Sequence, residues 1–69
     1  MKLSARNMLQ GKVKEIITGV VNSEVIIETM HGETIVSVIT KDSVDALDLK
    51  VGKEVYAVIK ASNVMVAVD

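Results

Sequence analysis

Glu33-Thr34-Ile35-Val36-Ser37-Val38-Ile39-Thr40-Lys41-Asp42-Ser43-Val44-Asp45-Ala46-Leu47 changes its pattern halfway through. Residues 33–39 are β-branched and apolar on both faces, with Ile35 and Ile39 on one side and Val36 and Val38 on the other, which reads as a strand. Thr40, Lys41, Asp42 and Ser43 then bring hydroxyls and an acid ahead of Val44, Ala46 and Leu47 at helical spacing. That order predicts an N-cap followed by a short helix. Asp42 and Asp45 suit its positive end.

Working back from this junction, His31-Gly32 reads as a two-residue hairpin turn, with glycine taking the unusual dihedral. Residues 21–30 form a second strand candidate, with Val25 and Ile27 on one face and Ile26 and Met30 on the other. Thr18-Gly19-Val20 reads as a turn in which Gly19 is free to take positive φ. Residues 12–18 are the first strand candidate, with Val13, Glu15 and Ile17 on one face and Lys12, Lys14 and Ile16 on the other. Working forward, Leu49-Lys50-Val51-Gly52-Lys53 is a turn, residues 54–60 a fourth strand, and residues 64–68 a fifth, with Ala61-Ser62-Asn63 interrupting the run. The order β-β-β-α-β-β predicts one all-β domain over residues 1–69. Its expected form is a small five-stranded OB-type barrel with a short helix between strands three and four. An SH3-like barrel is the alternative.

Composition supports this. Thirteen Val and seven Ile in 69 residues favour strands. A chain this small is marginal on its own and relies on disulfides, a metal or oligomerisation. It has no cysteine and one histidine, which removes disulfides, zinc-thiolate sites and a histidine-based metal site. Oligomerisation is left. Strands three to five are apolar on both faces, so a lone barrel would expose Val36, Val38, Val58 and parts of 64–68. Such a surface marks an interface, and the expectation is an obligate homo-oligomer.

Other classes find less support. A nucleic-acid binder needs a basic stripe and stacking aromatics, whereas the net charge is −1 and Tyr56 is the one aromatic residue. No apolar run approaches a membrane span, and the first residues lack the apolar core of a signal peptide. The expectation is a cytoplasmic protein. No Ser-His-Asp set or Gly-rich phosphate loop is present, and His31 reads as a surface turn residue. Asp42, Asp45 and Asp48 fit a solvated helix face, so no enzyme is expected.

What remains is a set of anion-binding groups at junctions. Ser4 and Arg6, the sole arginine, precede the first strand. Thr40 and Ser43 open the helix, where unpaired N–H groups favour an anion. Lys60, Ala61 and Ser62 lie at the strand break. Each has a structural reading as well: a helix cap, a solvated strand end, an ion pair with an acidic neighbour.

Together these segments resemble one family. Ser4-Ala5-Arg6-Asn7 with Leu9, Gly11, Lys12 and Val13 is similar to the opening of the molbindins, small molybdate-binding proteins built on the Mop or transport-associated OB domain. Val38-Ile39-Thr40-Lys41-Asp42-Ser43-Val44 resembles that family's strand-to-helix junction. Gly52-Lys53-Glu54-Val55 and Val58-Ile59-Lys60-Ala61-Ser62 resemble its fourth strand and the segment beyond. The resemblance covers essentially the whole chain. It implies a homohexamer, a trimer of dimers, holding molybdate or tungstate at subunit interfaces for storage or homeostasis. It implies a principal site of Ser4, Arg6 and Lys60 meeting Thr40 and Ser43 of a neighbouring subunit. Ala5 and Ala61 would contribute backbone N–H groups, and Ser62 is a further candidate. A second oxyanion site is implied around Gly19, Val20, Val21 and Asn22. No organic cofactor is expected, since a single aromatic leaves little to stack a pterin against. The competing readings are an OB-type nucleic-acid-binding module and a structural or regulatory oligomerisation domain.

Overall fold

The computed structural model describes all 69 residues. Four strands form one antiparallel sheet: β1 (Asn7–Thr18), β2 (Asn22–Thr29), β3 (Thr34–Thr40) and β4 (Glu54–Ile59). A single helix, α1 (Lys41–Ala46), follows β3, and a 3-10 turn at Ala61–Asn63 follows β4. The strand order is β3-β2-β1-β4, and the sheet curls into a half-barrel.

β1 makes the curl possible. Its first half pairs with β4, from Asn7 opposite Ile59 to Lys12 opposite Glu54. Its second half pairs with β2, from Gly11 opposite Thr29 to Thr18 opposite Ser23. The two partners overlap only around Gly11 and Lys12, where β1 is crowded from both sides. A Cβ on Gly11 would lie 2.3 Å from the Glu28 carbonyl oxygen, so glycine is required there by closeness.

The strand begins at Asn7, five residues before the expected start at Lys12, because Met8, Leu9 and Gln10 pair with β4. The expected faces of β1 also fail past its middle. The register against β2 shifts between Val13 and Glu15, which makes Lys14 a bulge residue. One extra residue reverses the alternation. Val13 is buried and Ile16, rather than Glu15 or Ile17, joins it against the core.

The β2–β3 connection differs in detail as well. Gly32 N–H donates to the Thr29 carbonyl at 3.0 Å and Thr29 N–H donates to the Glu33 carbonyl at 2.7 Å. The turn is therefore centred on Met30 and His31, and Gly32 follows at φ +86°, which is a three-residue hairpin loop with a glycine bulge. Gly19 does not take positive φ; that conformation is confined to Gly32, Gly52 and Asp48. Gly19 is needed because a Cβ would lie 2.1 Å from the Asn22 carbonyl oxygen.

The helix forms where its cap predicts. Thr40 is the N-cap, and its side chain accepts from the Ser43 N–H at 3.1 Å. At the other end, Lys53 Nζ donates to the carbonyls of Leu47 at 2.8 Å and Asp48 at 3.2 Å. A cation thus satisfies carbonyls that the short helix leaves open. Val44 enters the core, and α1 lies against β3 and β2.

The core is thin. Val13, Val25, Ile27, Val44 and Ala57 are its buried apolar members, with Ile16, Ile35, Ile39, Leu49 and Val55 packed around them. Only eight of 69 residues are buried, so much apolar surface faces outward. Val36 and Val38 are 58% and 62% exposed and Val58 is also exposed, as the two-faced pattern of the strands predicts. The expected fifth strand does not form within the chain: residues 64–68 carry no secondary structure and make no place in the sheet.

Candidate functional site

The start of β1 and the end of β4 are neighbours, and that pairing assembles the largest share of the candidate residues. Asn7 sits opposite Ile59, and its Nδ2 donates to the Ile59 carbonyl at 3.2 Å. This clip holds the segment before β1 against the segment after β4. Ser4, Ala5, Arg6, Lys60, Ala61 and Ser62 together line one open concavity of about 280 Å³.

The chemistry of that concavity is one-sided. Arg6 and Lys60 supply the charge. The ion pairs of the chain are Lys14 with Glu28 and Lys50 with Asp48, so neither Arg6 nor Lys60 is neutralised by a carboxylate. No acidic side chain lines the wall. Ser4 and Ser62 add hydroxyls that rotate to donate. The 3-10 turn adds backbone: its hydrogen bonds begin with Asn63 N–H to the Lys60 carbonyl at 2.9 Å, which leaves the N–H groups of Ala61 and Ser62 without an acceptor inside the turn. Lys60 caps the turn without a side-chain hydrogen bond. The wall therefore offers donors from side chains and main chain and no fixed anion.

Thr40 and Ser43 are elsewhere. Thr40 pairs with Asn22, close to the Thr18 end of β1, whereas the concavity lies at the Asn7 end. The length of β1, a twelve-residue strand, separates the two places. At this far end, Thr40 Oγ1 donates to Ser43 Oγ at 2.8 Å and accepts from the Ser43 N–H. The Thr40 hydroxyl hydrogen is engaged, so the Ser43 hydroxyl hydrogen is the one still free to meet a ligand.

The Gly19-Val20-Val21-Asn22 turn lies at the same end, tied to α1 by Lys41 N–H donating to the Val21 carbonyl at 2.8 Å. Gly19 and Asn22 line a shallow hollow with Thr18, Ser23 and Glu24, while Val20 and Val21 do not contribute to it. Ser23 was not marked by its sequence context. It occupies an inward position of β2 ahead of Val25 and Ile27, is 2% exposed, and its Oγ has no hydrogen-bond partner. A serine in line with inward-facing apolar positions was the available signal. Glu24 places a carboxylate at this hollow, which distinguishes it from the acid-free concavity at the Asn7 end.

A polar hollow beside Gly11 mixes Lys12 with Glu28 and Glu54. No group of three His, Cys, Asp or Glu side chains is placed to hold a metal ion, and no helix is long and apolar enough to cross a membrane.

The TOBE domain family matches residues 3–66. Over 69 residues the chain is 49% identical to a probable molybdenum-pterin-binding protein of Haemophilus influenzae, covering 100% of both chains. The fold superposes on MopII from Clostridium pasteurianum with a TM-score of 0.92 and 45% identity, over 97% of this chain and 100% of that one. It also superposes on the cytoplasmic molybdate-binding protein ModG in a molybdate-bound form. There the TM-score is 0.91 and the identity 52%, over 94% of this chain and 46% of the ModG chain.

Proposed function

The chain belongs to the TOBE domain family, and from that premise we propose that it binds molybdate or tungstate for storage or homeostasis in the cytoplasm, without catalysis. The observation that carries the reading is the acid-free concavity: Arg6 and Lys60, free of carboxylate partners, lined also by Ser4, Ala5, Ala61 and Ser62. A tetrahedral oxyanion that is fully deprotonated at neutral pH has acceptor oxygens on every side and no proton to give. Charge-assisted bonds from Arg6 and Lys60 supply most of the attraction, and hydroxyls and amides complete the shell. Hydrogen phosphate carries a proton that needs an acceptor, and the wall provides none from a carboxylate.

The second half of the principal site is Thr40 and Ser43 of a neighbouring subunit. One chain holds its own pair at the opposite end of β1, so a closed shell requires another copy. The proposed assembly is a homohexamer, a trimer of dimers, with one domain per chain. The Gly19, Val20, Val21, Asn22 turn is a second and weaker site, acting through backbone groups, since Glu24 shares its hollow. The ligand is the inorganic oxyanion and not a pterin: Tyr56, the one aromatic side chain, does not line the concavity.

Equilibrium dialysis against molybdate, tungstate, sulfate and phosphate tests this. Retention of molybdate and tungstate at micromolar concentration, with phosphate excluded, is the expected result. Failure to retain any oxyanion overturns the reading, and salt-sensitive capture of single-stranded oligonucleotides would replace it with nucleic-acid binding.

A further inference from the structure

Arg6 and Lys60 stand on two separate arms. Residues 4–6 precede β1 without regular structure, and Lys60 leaves β4 for the 3-10 turn. Asn7 opposite Ile59 is the last rung of the β1–β4 ladder, and each cation lies one residue beyond it. At that rung Asn7 Nδ2 donates to the Ile59 carbonyl at 3.2 Å, across 52 positions of sequence. No other side-chain hydrogen bond and no ion pair reaches either arm. The main-chain bonds past the rung stay within one arm: Asn63 N–H to the Lys60 carbonyl and Val64 N–H to the Ala61 carbonyl. Asn7 is half-buried, whereas Arg6 and Lys60 are exposed.

We propose that Asn7 is a positioning residue of the oxyanion site: its amide fixes the span between Arg6 and Lys60, and that span selects the larger tetrahedral dianions over sulfate. The proposal rests on the oxyanion reading and adds to it the residue that sets the selection by size. Sulfate is the harder ion to exclude. Like molybdate it is a tetrahedral dianion at neutral pH, with acceptor oxygens on every side and no proton. The lack of a carboxylate, which works against hydrogen phosphate, does not act on it, and two cations attract both ions alike. The separation of the donors is what remains to tell them apart, because sulfate has the shorter bonds. Two long side chains on loose arms close onto the smaller ion; arms held at a set distance do not.

The side chain suits holding rather than contact. A carbonyl partner needs a donor, so the NH2 group faces Ile59 and Oδ1 is turned from it. Asn7 does not line the concavity, and its Oδ1 would repel an ion that can only accept. The bond joins the residue after Arg6 to the residue before Lys60, so any change in its length passes to each cation through one peptide unit. Ser4 and Ser62 cannot set the span, because their hydroxyls rotate to follow whatever ion is present. Asn7 is therefore the side chain that ties the two cations to one frame.

Titration calorimetry on the intact chain tests this, with molybdate measured directly and sulfate by displacement of bound molybdate, for the unmodified protein, Asn7→Ala and Asn7→Asp. Asn7→Ala removes the donor, and Asn7→Asp keeps the shape of the side chain while replacing the donor by a carboxylate oxygen. Asn7→Ala is expected to weaken molybdate about tenfold, as for the loss of one hydrogen bond, and sulfate by about twofold or less, so that the affinity ratio falls about fivefold. Asn7→Asp is expected to lower the ratio as much while its charge weakens both ions further. A folded variant that keeps the unmodified ratio overturns the inference, because a merely structural strand end lowers both affinities alike. Unchanged molybdate affinity in Asn7→Ala overturns it too. Should neither variant fold, the Asn7 side-chain amide of the unmodified protein decides by NMR: slow hydrogen exchange with molybdate bound is expected, and free exchange overturns the inference. An unmodified chain that binds molybdate and sulfate equally overturns this inference alone, whereas one that binds neither ion removes the oxyanion reading and this inference with it.

Discussion

The two ends of β1 are built from different chemistry. At the Asn7 end, two unpaired cations, two hydroxyls and free main-chain amides surround a concavity without a carboxylate. At the Thr18 end, hydroxyls are already organised by a helix cap, no cation lines the hollow, and Glu24 is present. The first end has attraction without a fixed frame, since its exposed Arg6 and Lys60 are held only by the Asn7 clip and a three-residue turn. The second end has a frame without attraction. Neither is a complete oxyanion shell, and a single strand keeps them too far apart to combine. The contrast makes sense in an assembly that sets the charged end of one copy beside the capped end of another.

The largest expected effect comes from breaking the strand that carries both ends. Gly11→Ala places a methyl 2.3 Å from the Glu28 carbonyl oxygen, in backbone with no flexible side chain to yield. Destabilisation of about 3 kcal/mol, at the upper end for overpacking, is expected in urea unfolding, with both ends lost together. Unchanged stability would mean that β1 and β2 part at this crossing at little cost.

Next in size is Arg6→Ala, which acts on one end alone. Arg6 is exposed and precedes β1, so circular dichroism and the urea midpoint should not move. Molybdate affinity should fall about 10- to 100-fold, as for the loss of a charge-assisted hydrogen bond, by titration calorimetry. Loss of fold with binding retained per folded chain would make Arg6 a structural residue and erase the contrast between the ends.

How much of this was legible in the residues depends on how local each cause is. The cap at Thr40 and the inward pair Val25 and Ile27 were readable because a hydroxyl before a helical run and an alternating strand are set by near neighbours. The doubly apolar faces foretold the exposure of Val36 and Val38. The start of β1 at Asn7 was not readable, since Met8 and Leu9 become strand only by pairing with Val58 and Ala57, some fifty positions on. The bulge at Lys14 left no glycine or proline to mark it. The composition of residues 64–68 predicts a strand, but the lone chain provides no neighbour for them. Of the site, the donor types were plain in the sequence. Their grouping came through the family resemblance, and the Asn7 clip that supports it showed only once Asn7 and Ile59 were seen to pair.

The smallest effects separate the two hydroxyls of the capped end. Thr40→Ala removes the acceptor for the Ser43 N–H and the donor to Ser43 Oγ, so a stability loss of about 1 kcal/mol, typical of an N-cap, should appear in thermal or urea unfolding. Ser43→Ala keeps the cap, because the bond to Thr40 uses the Ser43 main chain. Its side-chain oxygen only accepts from Thr40, and that hydroxyl is exposed enough to turn to water. Stability should therefore change by less than about 0.5 kcal/mol, while molybdate affinity falls several-fold, because the free hydroxyl hydrogen at this end belongs to Ser43. The pair thus splits frame from contact: Thr40 acts on stability first and on binding through it, Ser43 on binding alone. If Ser43→Ala loses stability and Thr40→Ala does not, the cap has been assigned to the wrong residue. If neither changes molybdate affinity, the Thr18 end supplies no part of the shell and the charged end closes it by other means.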